Sequence, residues 1–119
     1  MGDRHATGMT DAKEKTDLLL AKLWLRVRPL VDERLVTLDQ AAAAASMDSL
    51  GEDLRKEAAG SAHKLAGSLG MYGYDEGTRI AREIEVLLGG TAPDAVRLNG
   101  LIAELRNALF PAESNSHGV

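Results

Sequence analysis

Residues 61–70 read Ser61-Ala62-His63-Lys64-Leu65-Ala66-Gly67-Ser68-Leu69-Gly70. They lie within a longer pattern in which Leu50, Leu54, Ala58, Ala62, Leu65 and Leu69 recur at helical spacing. Side chains three and four apart share one face of a helix. At about 100° per residue the six fall within roughly 120° of arc, and His63 lies about 160° from their middle. The stripe is expected to face a core, and His63 to face water or a partner.

The positions three and four away from His63 are Ala59, Gly60, Ala66 and Gly67, with Gly70 one turn beyond. A glycine inside a helix costs about 1 kcal/mol relative to alanine. Two of them on one exposed face therefore do not serve helix stability. They give access, leaving a histidine ring clear on a bald surface. Alanine and glycine at the positions where a second metal ligand would sit argue against a metal site. No nucleophile elbow or sheet pattern supports a histidine-based hydrolase.

Outward from this helix the chain reads as helical throughout. Its 119 residues suffice for one small domain, with 45% hydrophobic but only 3% aromatic residues. Aliphatic, alanine-rich composition favours a helical bundle over a sandwich. A net charge of −4 argues against a nucleic-acid partner. The absence of cysteine removes disulfides and thiolate metal sites. No apolar run is long enough to span a membrane, and no signal-peptide core opens the chain. These readings point to a cytoplasmic protein with no membrane partner.

Residues 1–9 carry no pattern and are expected as a disordered arm that includes His5. Thr10 suits the N-cap of a first helix with Leu20, Leu23, Trp24 and Val27 as its stripe. Pro29 predicts a break or kink. Val31, Leu35, Leu38 and Ala42 mark a second helix. Ser49 and Glu52 have capping-box spacing for the His63 helix. Gly73 suits a turn at positive φ, and Asp75 is expected to cap the next helix, which buries Ile80, Ile84 and Leu87, with Leu88 as a further candidate. Thr91 is expected to cap the last helix, with Leu98, Leu101, Ile102, Leu105 and Leu109 buried. Pro111 ends it, and residues 111–119, with His117, are expected as a disordered tail. The five segments predict an all-α fold: an antiparallel four-helix bundle with an additional N-terminal helix, one domain over residues 10–110.

The run His63-Lys-Leu-Ala-Gly67-Ser-Leu-Gly70-Met-Tyr-Gly73-Tyr74, with Ile80-Ala-Arg-Glu-Ile84-Glu85 after it, resembles the histidine-containing phosphotransfer (HPt) domain of two-component phosphorelays. The resemblance covers about Ser49 to Leu88. It implies that His63 accepts a phosphoryl group from a receiver-domain aspartate and passes it to another receiver, with Nε2 as the attacking atom. It implies receiver domains or a hybrid sensor kinase as partners, a monomer, no cofactor bound by this domain, and a divalent metal on the partner receiver. Ala59, Gly60, Ala66, Gly67 and Gly70 would form the docking face. Many family members carry lysine three residues after the histidine, where this chain has Ala66, so Lys64 or Lys56 would supply positive charge. No nucleotide loop, carboxylate cluster or general base beside His63 is evident, which fits a carrier without kinase activity. The alternative is a helical adaptor that binds a receiver or another signalling protein through the same face without carrying phosphate. A solvated imidazole, with an ordinary pKa of about 6.5, is mostly neutral and nucleophilic near pH 7.

Overall fold

The computed structural model describes residues 3–111, with side chains from Ala12 onward. The His5 side chain and most of the expected tail, His117 included, lie outside the described residues. Among the described residues there are four α-helices: α1 (Asp3–Ser46), α2 (Glu52–Leu69), α3 (Asp75–Leu88) and α4 (Ala95–Leu109). A 3-10 turn, Gly70–Tyr72, follows α2. No strand is present among the described residues.

The five expected segments are thus four. α1 begins at Asp3 rather than at Thr10, and it continues through Pro29. Proline forfeits one backbone hydrogen bond and crowds the preceding turn. Here the alanine- and leucine-rich sequence on both sides keeps the helical path. Two compact units divide between Leu30 and Val31. In the first unit Leu18, Leu19 and Leu25 are exposed, and Trp24, expected in a core, is only half-buried.

The second unit holds the core. Val31, Leu35, Leu38, Ala41 and Ala42 of α1 are buried, as are Ala58, Ala62, Leu65 and Leu69 of α2. Ile80, Ala81, Ile84 and Leu88 of α3 join them, with Leu98, Leu101, Ile102, Leu105 and Leu109 of α4. These are the apolar stripes read from the sequence, except that Leu50, Leu54 and Leu87 are only half-buried while Leu88 is buried.

Three sets of cross-links fix how the helices pass one another. Arg55 donates to the Leu88 carbonyl at 2.8 Å, and His63 meets Glu85 at 2.9 Å, so α2 and α3 pair in opposite chain order. Asp39 and Ser46 of α1 meet Arg106 at 2.6 Å and Asn99 at 3.1 Å, again in reverse order. Between α3 and α4, Glu83 lies 3.7 Å from Arg97. A Cβ on Gly77 would come within 3.2 Å of both Leu69 and Leu109. Glycine at that point lets α3 approach both of its neighbours.

Several caps differ from expectation. Gly51 caps α2, and Ser49 donates its hydroxyl back to the Ala44 carbonyl instead. Glu52, freed from a capping box, pairs with Arg55, and Leu50 falls in the connector, ahead of the helix. Tyr74 occupies the N-cap of α3, leaving Asp75 and Glu76 in its first turn, where acidic side chains complement the helix dipole. Asp94, not Thr91, caps α4, accepting from the amides of Val96 and Arg97 at 3.0 and 3.2 Å. Only at α4 does a side chain reach the free amides; at α2 and α3 the path of the loop places Gly51 and Tyr74 at the cap, and neither makes a side-chain cap bond. Gly73 takes the expected positive φ, 85°.

Candidate functional site

α2 carries His63 outward, with 73% of its side chain exposed. The ring is not isolated. Its Nδ1 lies 2.9 Å from Oε2 of Glu85 on α3, whose side chain is 36% exposed. A carboxylate can only accept, so this bond places a hydrogen on Nδ1. A neutral ring protonated there has a bare lone pair on Nε2, the nitrogen not engaged by Glu85.

The sequence shows no general base beside His63 and leaves open whether water or a side chain holds Nδ1; in the structure that group is Glu85. Glu85 lies 22 positions downstream. Only the register of α2 against α3 brings it to the ring. The available signal was its place next to Ile84, one step off the buried stripe of α3, which puts a side chain at the edge of a helix–helix seam.

The expected docking residues divide. Gly67 and Gly70 are exposed, while Ala59 and Gly60 are half-buried. A Cβ on Gly60 or Gly67 would meet nothing within 4 Å, so the surface there is open. At Gly70 it would reach ordinary contact with the Thr78 hydroxyl at 3.4 Å. Ala66 does not belong to this face. It retains only 5% of its surface and extends the buried ridge of Ala58 and Ala62 by one turn. The core-facing arc of α2 is wider than the leucine stripe, because side chains this small let neighbouring backbone close over them.

The two lysines also differ. Lys64 is exposed directly after His63. Lys56 lies 4.0 Å from Glu52 in the opening turn of α2, directed toward the start of the helix. Among the described residues no group of three or more His, Cys, Asp or Glu side chains comes together as a metal site.

An exposed helical imidazole with one nitrogen tied down, over an open glycine surface, is an arrangement for presenting a nucleophile. The profile of the Hpt domain matches residues 23–110, and the chain belongs to that family. It is similar to the protein RcaC of Microchaete diplosiphon, at 31% identity over 81 residues. That match takes in 68% of this chain but only 12% of RcaC, so the chain spans a small part of its relative. No solved structure matches. As an Hpt domain the chain is a phosphotransfer module of two-component signalling, and Hpt domains are phosphocarriers rather than kinases. Family members work with receiver domains and sensor kinases.

Proposed function

We propose that His63 is the phosphoacceptor and that the domain shuttles a phosphoryl group between two receivers. Nε2 attacks the phosphorus of an aspartyl phosphate as the bond to the aspartate oxygen breaks and the carboxylate leaves. The ring gains positive charge in that step while Nδ1 keeps its hydrogen. Glu85 lies where that charge develops, so it favours the transition state more than the resting ring. Return of the group to a second receiver runs the same steps backwards. Phosphoryl transfer depends mainly on positioning and charge. The receiver contributes its divalent metal, and this domain contributes an oriented nucleophile.

The observation that carries this reading is the bond from His63 Nδ1 to Glu85. An adaptor that merely docked through the glycine face would have no use for it. Gly67 and Gly70 form the open floor of the docking face, with Lys64 beside the ring as a point charge for phosphoryl oxygens. The fold supporting this is an antiparallel four-helix bundle of residues 31–109, with the N-terminal part of α1 as the additional helix. The protein acts as a cytoplasmic monomer.

The test is labelling by a phosphorylated cognate receiver. Wild type should acquire acid-labile phosphate, and His63→Gln, a change at an exposed position, should acquire none while melting normally. Full labelling of the variant would move the site to another histidine. With ATP and magnesium alone, neither protein should label.

A further inference from the structure

A groove of about 480 Å³ runs between α3 and α4, lined by Arg79, Arg82, Glu83, Val86, Arg97 and Leu101, with Leu87 on its α3 side. By helical bearing its α3 residues lie about 60° to 200° round from Glu85, so the groove opens away from the seam that holds His63. Its volume is within the range of about 300–1,000 Å³ usual for small-molecule sites.

The chemistry of the lining is uneven. Val86, Leu87 and Leu101 supply an apolar wall, and Val86 leaves 78% of its surface in water. Three arginines stand against one lining carboxylate, in a chain whose net charge is −4. Glu83 is shared, 3.1 Å from Arg79 and 3.7 Å from Arg97. Arg79 is further held by Glu76, outside the groove. Arg82 is exposed and has no ion pair or hydrogen bond among the described residues. The groove therefore combines an apolar wall with an unspent guanidinium and a second, Arg97, held only at long range.

We propose that this groove binds a small organic anion, with one acidic head group on an aliphatic or aromatic body. The head group pairs with Arg82 and Arg97, whose planar donors suit a carboxylate, phosphate or sulfonate. The body covers Val86 and Leu101. Neither half suffices alone. An exposed ion pair gains little in water, and a shallow apolar wall gains little without an anchor. The site is independent of the phosphorelay reading, since it uses neither His63 nor its docking face.

The probe is 8-anilinonaphthalene-1-sulfonate, titrated into the full chain and followed by fluorescence and by amide shifts in NMR. N-phenyl-1-naphthylamine has the same body without the sulfonate, and inorganic sulfate stands in for the head group. The sulfonate probe should saturate one site, with shifts centred on Arg82, Val86, Arg97 and Leu101. The neutral probe should bind about tenfold more weakly or worse, and Arg82→Glu should weaken the sulfonate probe to the same degree while melting as wild type. Val86→Glu, a second exposed position, should do likewise. Equal binding of the neutral probe would overturn the proposal. So would an unchanged affinity in Arg82→Glu, or shifts centred on the exposed leucines of α1. Shifts of the same pattern with sulfate alone would mean an adventitious ion only. Competition by an acidic peptide but not by octanoate would assign the groove to a protein partner instead.

Discussion

A neutral imidazole has two tautomers, and only one leaves Nε2 bare. Glu85 selects that one by accepting from Nδ1, at 2.9 Å. Glu85→Ala should therefore keep the fold, because the side chain is part-exposed, and should slow phosphorylation of His63 by about tenfold or more, on the scale seen when the hydrogen-bond partner of a metal-ligating histidine is removed. Glu85→Gln should fall between the two, since its amide oxygen still accepts from Nδ1 but carries no charge. Nitrogen shifts of the ring in NMR would report the tautomer directly. A ring in Glu85→Ala with the wild-type tautomer and wild-type transfer rate would remove Glu85 from the mechanism. Lys64 calls for a smaller effect. Its ammonium is exposed, so Lys64→Ala should change transfer only a few-fold, and less so at high salt.

At the scale of the element, α2 is divided along its length into a buried ridge and a bald face. Gly67 is on the bald face, and added atoms there enter open space. Gly67→Ala should raise stability by up to about 1 kcal/mol, by removing the glycine penalty. Gly67→Gln should melt no lower than wild type yet transfer more slowly, because its side chain projects where a receiver must approach. Normal transfer by a normally folded Gly67→Gln would place the docking surface elsewhere. Ala66, one residue earlier, behaves oppositely. At 5% exposure it has no room for a long side chain, and Ala66→Lys should destabilise by about 1–3 kcal/mol. Neighbouring substitutions of opposite sign, read from thermal melts, would test where the ridge ends. The lysine that many family members carry at that position is thus not simply missing from an otherwise unchanged surface. Its place is occupied by packing.

Across the whole molecule, the seam that presents His63 is held at its far end by Arg55. This buried guanidinium donates to Glu52 in the first turn of α2 and to the Leu88 carbonyl at the end of α3. It thereby satisfies one of the carbonyls that a helix end leaves unpaired. Arg55 hydrogen-bonds the charged form of Glu52 and holds its pKa below the ordinary 4.5, against a smaller opposing effect of burial. A carboxyl depressed on folding contributes stability that is complete above its unfolded pKa and is lost as pH falls through the folded value. Glu52→Gln should therefore melt lower than wild type at pH 7, and the difference should narrow as the pH falls below the ordinary 4.5 and through the depressed folded value. A difference that stayed constant over that range would mean that Glu52 acts only through packing. Arg106 and Asp39 perform a similar tie between α4 and α1, with Arg106 pushed above its ordinary range mainly by that hydrogen bond.

The sequence by itself determined most of the buried stripes and the stretch that carries an exposed histidine among small residues. Helical spacing identified the α3 and α4 stripes, because an amphipathic period depends only on neighbours within the same helix. His63 was legible for the same reason, being fixed by its bearing and by small residues three and four positions away. Gly73 was legible because a left-handed turn demands it. The caps were not, since the loop path decides which residue precedes each helix, and only at α4 does a side chain reach the free amides. The continuity of α1 through Pro29 was hidden because local preference opposes it there. Ala66 was misread because a leucine stripe marks only the middle of a buried face, whose width depends on how closely neighbours approach. Glu85 and Arg55 depended wholly on tertiary structure. Their partners are 22 and 33 residues distant, and only the reversed register of α2 against α3 brings a carboxylate to the histidine and a guanidinium to a helix end.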